Sequence, residues 1–305
     1  MYIRFDDKVA VITGAGSGLG KSYALYLASR GAKVLVNDIG VFPDKTGSSH
    51  QVARLVAEEI DSRGGSAKAN FENVAEADCA QRIINDALEH FGGVDILINN
   101  AGILRDKTIL KMPTEDFDQV LGVHLYGTFY VTRAAFAIMK EKHYGRIVLT
   151  TSSAGLYGNF GQTNYSAAKM GIVGFMNALK LEGKKYGILT NTIAPLAATP
   201  LALSAGIFPK QLTSRLTPGL VTPLVAFLCS DACQSCGEIF SAGGGYFAKA
   251  QTVEGPGVRF DPAHEITPEM VAENFGAILN MKGARPFDSA IDELHHVLAP
   301  LMDNS

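Results

Sequence analysis

From Lys8 onward the chain alternates short, continuously apolar runs with longer stretches at helical spacing, and this alternation limits the fold more than any other feature. The apolar runs are Val9–Thr13, Lys33–Asp38, Ala67–Asn70, Val94–Asn99, Arg146–Thr151 and Leu189–Ile193. Between them the spacing predicts helices through about Arg30, over Ser49–Arg63, and over about 76–91, 115–142 and 163–185. A run that is apolar at every position is buried on both faces, which marks a parallel strand covered by helices on either side. Parallel strands joined by right-handed helical crossovers form a doubly wound sheet. The expected class is therefore α/β: a Rossmann-type parallel sheet in three α/β/α layers, with ligands at the carboxyl ends of the strands.

Beyond Ile193 the text changes. Five of the twelve prolines lie in 195–223, too many for one helix, so this part reads as a broken, lid-like excursion. A helix to about Cys229 and a strand, Glu238–Ser241, close the core near Gly245. This gives a core domain over 1–245 and a 60-residue extension over 246–305, with helical patterns at about 268–280 and 288–299. The extension holds 4 basic and 9 acidic residues, and is expected to pack on the core or on a partner subunit.

A net charge of −3 over 305 residues lacks the basic excess of a nucleic-acid binder. No run approaches the ~18 apolar residues of a membrane span. The N-terminus has no apolar signal core, and Asp303-Asn304-Ser305 is not a peroxisomal tripeptide. The cytoplasm is thus the expected location, with the peroxisome as the alternative. Cys229, Cys233 and Cys236 cluster with no histidine nearby to complete a zinc site. Free thiols, and no metal, are expected.

Between the first strand and the first helix stands Thr13-Gly14-Ala15-Gly16-Ser17-Gly18-Leu19-Gly20. Glycines there let backbone N–H groups approach a pyrophosphate, and the helix N-terminus adds its positive dipole end. Asp38 closes the second strand, 18 residues past Gly20, where a carboxylate accepts from both adenosine ribose hydroxyls and repels a 2′-phosphate. No arginine stands in the turn or just after Asp38, so NAD is favoured over NADP. Asn99-Asn100-Ala101-Gly102 follows the fourth strand and Asn73-Val74 the third, on the same edge of the sheet.

Tyr165 and Lys169 are four apart on a predicted helix and share a face. An ammonium beside the phenol is expected to lower its pKa, making Tyr165 a base for alcohol oxidation or an acid for ketone reduction. Alone, the pair would read as part of an amphipathic helix. Ser152, however, ends the fifth strand 13 residues earlier, where its hydroxyl can hold a substrate oxygen.

The glycine turn, Asn99-Asn100-Ala101-Gly102, Ser152 and Tyr165-x3-Lys169 together resemble the short-chain dehydrogenase/reductase family over residues 5 to about 245. The resemblance implies Tyr165 as acid/base, Ser152 as oxygen holder and Lys169 on the nicotinamide ribose, and it adds Thr199 to the cofactor-binding set. It also implies a homodimer or homotetramer built through the helices at 115–142 and 163–185. His124 stands where the family usually has an asparagine of a proton relay. Either it fills space and bonds a backbone carbonyl, or it holds the relay water or titrates near neutral pH.

Asn99–Asp106, the Val123-His124-Leu125 run and Gly155–Gln162 resemble, more narrowly, the (3R)-hydroxyacyl-CoA dehydrogenase module of peroxisomal multifunctional enzyme type 2 and its bacterial stand-alone relatives. The tryptophan that module carries after its last strand is missing, and no hydratase or sterol-carrier segment follows. The resemblance implies NAD-dependent oxidation of a (3R)-hydroxyacyl-CoA to the 3-ketoacyl-CoA. Arg105, Lys107, Lys210 and Arg215 are candidates for the CoA phosphates, each with the alternative of a solvated charge. Two other readings stay open: a hydroxysteroid or other secondary-alcohol dehydrogenase, and a dinucleotide-binding scaffold without turnover.

Overall fold

Among the described residues eight strands form, the first seven where strands were expected: β1 Val9–Thr13, β2 Lys33–Asn37, β3 Ser66–Asn70, β4 Ile96–Asn99, β5 Gly145–Thr150, β6 Ile188–Pro195, β7 Ile239–Gly243 and β8 Tyr246–Ala250. The structure, a computed structural model, describes residues 2–40, 51–204 and 210–302. Ser49, where the second helix was expected to start, Pro209 of the excursion and the last three residues lie outside these. Every residue of β1, β4 and β5 is buried, as two-sided helical cover requires.

The sheet order is β3-β2-β1-β4-β5-β6-β7-β8, so the winding reverses between β1 and β4. The registered pairs among β1 to β7 are all parallel. Thr13 pairs with Asn37, Ile12 with Ile98, Asn99 with Leu149 and Thr150 with Ile193. This register brings Thr13, Asp38, Asn100 and Ser152 to one edge, on both sides of the reversal, where doubly wound sheets bind ligands.

The helices are α1 Gly18–Ser29, α2 Gln51–Ser62, α3 Ala77–Phe91, α4 Thr114–Leu121, α5 Gly127–Lys142, α6 Ser153–Tyr157, α7 Thr163–Gly183, α8 Pro200–Ser204, α9 Thr222–Leu228, α10 Pro268–Glu273, α11 Phe275–Ile278 and α12 Ala290–Met302. α1 packs on α2 and α9, and α3 on α5. Val34, Val36, Ile12, Ile96 and Ile98 fill the core beneath α1 and α2.

Three expectations change, and one short helix is added. The helix over 115–142 is interrupted by one π-helical turn, Gly122–Tyr126, because its hydrogen-bond ladder slips by one residue there. The pattern at 268–280 is two short helices that meet at Asn274. β8 follows β7 across Gly244-Gly245, a link of two residues that only antiparallel strands can use, so regular structure does not stop at Gly245. α6, directly after Ser152, has too few residues to show a period in sequence.

By internal contact the chain divides into Met1–Lys249 and Ala250–Ser305. In the second unit Thr267 caps α10 by accepting from Met270 N–H, and Arg259 donates to the Val297 carbonyl. No helix among the described residues is long and apolar enough to cross a membrane.

Candidate active site

The glycine turn is packed against the end of β4. A Cβ on Gly14 would sit 2.7 Å from Ala101 Cα, and Gly14 itself has φ 62°, so only glycine fits. Thr13 Oγ1 accepts from Asn100 N–H at 3.0 Å and from Ala101 N–H at 3.1 Å. Asn100 Nδ2 donates to the Thr13 and Gly14 carbonyls. Asn99 Nδ2 donates to Thr132 Oγ1 in the buried layer below. Both consecutive amides are thus satisfied, and they fix the turn to the neighbouring strand.

Asp38 is held at both oxygens. Oδ2 accepts from Gly16 N–H at 2.9 Å and Oδ1 from Gly40 N–H at 2.8 Å. The carboxylate therefore stands beside the turn in a set orientation, as ribose recognition needs. Asn73 Oδ1 accepts from Ala75 N–H, and its Nδ2 donates to Glu76.

Ser152 caps α6, its Oγ accepting from Ala154 N–H at 3.2 Å. It lines the same cavity as the Tyr165 phenol, whose pKa it lowers. α7 carries Tyr165 and Lys169, and its first turn is secured by Asn164, which is fully buried. Asn164 Nδ2 donates to the Arg105 and Asp116 carbonyls, while its Oδ1 accepts from Tyr165 N–H at 2.8 Å. Lys169 Nζ lies 5.6 Å from the Tyr165 ring centre and donates to the Thr150 carbonyl at 2.6 Å.

The electrostatics correct one expectation. Tyr165 is not lowered by Lys169: burial raises its pKa, against a smaller lowering by the Ser152 hydrogen bond, and Asp106 raises it further. Lys169 is itself pushed down to about 7 by burial. Its ammonium is turned to the Thr150 carbonyl.

His124 sits in the π-turn, buried, with Nε2 2.8 Å from the Ile103 carbonyl and Ile103 N–H 3.1 Å from the same nitrogen. Its ring meets Tyr165 edge to face at 5.1 Å. Burial, and then the Lys169 charge, push its pKa well below the usual imidazole value. A histidine that titrates near neutral pH does not suit this environment. Among the described residues its Nδ1 has no partner. A Cβ on Gly102 would collide with its Cε1, so the glycine makes room for the imidazole.

One cavity of about 850 Å³ joins these groups, within the usual range for ligand sites. Ser152, Tyr165, Lys169 and His124 line it, as do Gly14, Ser17, Gly18, Leu19, Asp38, Asn73, Val74, Asn100, Ala101, Gly102 and Thr199. Thr13 and Gly20 do not; they act from behind, Thr13 through the bonds above and Gly20 by packing against Gly14 and Asn100. The residues fit a dinucleotide: a closely packed glycine turn, an oriented carboxylate and the lysine–tyrosine pair line one continuous space.

Of the phosphate candidates, Lys107 Nζ pairs with Asp116 at 2.7 Å, and Arg105 Nε lies 3.9 Å from the same carboxylate. Arg215 is exposed at the end of a 3-10 turn. The Lys210 side chain lies outside the described part. Among the described residues no group of three or more His, Cys, Asp or Glu side chains could hold a metal ion. The four cysteines are free thiols. Sequence reasoning missed Asp106 and Gln162, which also line the cavity. The position of Gln162, one helical turn before Tyr165, was the available signal.

Comparison with known proteins places this geometry. The short chain dehydrogenase family matches residues 8–202. A short-chain type dehydrogenase/reductase of Mycobacterium tuberculosis is 46% identical over 279 residues, 92% of this chain and 96% of the relative. Peroxisomal multifunctional enzyme A of Dictyostelium discoideum is 43% identical over 299 residues, 98% of this chain but 66% of that protein. Among solved structures, full-length peroxisomal multifunctional enzyme type 2 from Drosophila melanogaster superposes with a TM-score of 0.83 at 36% identity. That match covers 99% of this chain and 50% of the fly chain.

Proposed function

Because the chain belongs to the short-chain dehydrogenase family, and so is an oxidoreductase using a nicotinamide dinucleotide and a small-molecule substrate, we propose that it oxidises a (3R)-hydroxyacyl-CoA to the 3-ketoacyl-CoA with NAD. The observation that carries the substrate is the 43% identity to a peroxisomal multifunctional enzyme across 98% of this chain. The chain spans about two thirds or less of the multifunctional proteins it matches, so only this one activity is proposed.

The bound dinucleotide supplies the hydride acceptor. Asp38 takes the two ribose hydroxyls and disfavours a 2′-phosphate, which makes NAD the cofactor. Ser152 holds the substrate oxygen and Tyr165 removes its proton. Tyr165 takes the proton as the phenolate, a form that burial disfavours and that the positive charge of an oxidised nicotinamide would favour. Lys169, anchored on Thr150, has N–H groups left for the nicotinamide ribose. His124 is a neutral support: it secures the Gly102-Ile103 backbone and packs on the Tyr165 ring. Thr199 packs on Gly18 from the other side of the turn.

We read the protein as a homodimer or homotetramer. Tyr126, Phe129 and Met170 are exposed on the π-turn, α5 and α7, the elements through which the family is expected to associate.

The test is dinucleotide reduction with (3R)- and (3S)-hydroxyacyl-CoAs and with hydroxysteroids, each with NAD and with NADP. Turnover of the (3R) thioester with NAD is expected. Turnover of hydroxysteroids alone would favour the secondary-alcohol reading, and a preference for NADP would contradict the role of Asp38.

A further inference from the structure

Gln162 is buried, stands at the residue before α7 with its side chain turned away from the helix end, and lines the cavity three residues before Tyr165. Residues three apart share a helix face, with Cβ atoms roughly 5–6 Å apart. Its amide is locked at both ends: Oε1 accepts from Asn159 Nδ2 at 3.0 Å, and Nε2 donates to Asp106 Oδ2 at 2.6 Å. A carboxylate can only accept, so Asp106 dictates which end of the amide faces it. Nε2 carries two hydrogens, and Asp106 takes one. The second finds no acceptor among the described residues, and in a buried group beside a cavity it calls for one.

The loop that carries Asp106 is itself tied down. Lys107 N–H donates to the Gly161 carbonyl at 2.8 Å, and Asn164 binds the Arg105 carbonyl. Asp106 and Gln162 therefore form a rigid ledge beside the phenol. Asp106 and Tyr165 line the same cavity. The two cations that flank Asp106 in sequence, Arg105 and Lys107, are turned toward Asp116.

We propose that this ledge selects the substrate: Gln162 donates to the carbonyl oxygen two carbons from the reacting alcohol, and Asp106 turns away a free carboxylate at that position. The site thus favours a neutral thioester over the corresponding 3-hydroxy acid. This rests on the hydroxyacyl reading above and adds the groups that recognise the acyl carbonyl.

The test compares kcat/KM for three substrates in each variant. They are a (3R)-hydroxyacyl-CoA, the thioether analogue with CH2 in place of the carbonyl, and the free (3R)-hydroxy acid. Gln162→Leu is expected to lower the thioester-to-thioether ratio about tenfold, the worth of one hydrogen bond to a neutral acceptor. Asp106→Asn keeps an acceptor for Gln162 but removes the charge, and is expected to raise the acid-to-thioester ratio several-fold. Ratios taken within one preparation cancel any loss of folded protein. An unchanged thioester-to-thioether ratio in Gln162→Leu, or an unchanged acid-to-thioester ratio in Asp106→Asn, overturns the proposal while leaving the hydroxyacyl activity standing. A wild-type enzyme that turns over no thioester overturns both.

Discussion

Tyr165, Lys169 and the Gly102–His124 pair each make a separable prediction. Tyr165→Phe keeps the ring that packs on His124 but has no proton to exchange, so kcat should fall by about 10²–10⁴ with stability little changed. Lys169 acts through its buried charge. Its folded-state pKa of about 7 lies below the 10.5 of an exposed lysine, so between those values the unfolded chain binds the extra proton and stability rises with pH. Lys169→Met should therefore be more stable than wild type below about pH 7, with the difference shrinking as pH rises above it; denaturant midpoints across pH measure this. Gly102 and His124 are matched in size. Gly102→Ala should cost about 1–3 kcal/mol by overpacking, and a second change, His124→Ser, should recover part of it. Tyr165, Lys169 and Ser152 were legible because their spacing is a chemical pattern. The direction of the Tyr165 shift was not, since burial and the Lys169–Thr150 bond depend on distant parts of the chain.

At the scale of elements, the strands that run apolar on both faces were read almost to the residue, because burial on two sides leaves no other composition. What escaped had no period to read. The π-turn differs from its flanking helices by one residue of ladder, α6 is five residues long, and β8 is mostly exposed. The π-turn carries His124 and α6 is capped by Ser152, so two of the three irregular pieces serve the site. The N-terminus of α7 is the joint on which Tyr165 depends. Asn164→Ala removes both donated bonds and the one accepted from Tyr165 N–H. It should destabilise by about 1–3 kcal/mol, as measured by chemical denaturation, and lower kcat as well as stability. At the end of β2, Asp38→Ala should lose the NAD preference, seen as a fall in the NAD-to-NADP ratio of kcat/KM.

For the whole molecule, the sheet order decides where everything meets. The reversal between β1 and β4 opens the crevice, and the register sets the glycine turn, Asp38, Asn100 and Ser152 along its rim. That much followed from right-handed crossovers. The ledge made by Asp106 and Gln162 did not, because it needs two loops from different crossovers to touch. The central claim is that Tyr165 and Ser152 direct hydride transfer from carbon 3 of a hydroxyacyl thioester to the dinucleotide. The most direct measurement uses (3R)- and (3S)-hydroxyacyl-CoA carrying deuterium at carbon 3, followed by mass analysis of the reduced dinucleotide. Deuterium should appear in NADH from the (3R) substrate and not from the (3S). Label from the (3S) substrate, or from neither, would contradict the account.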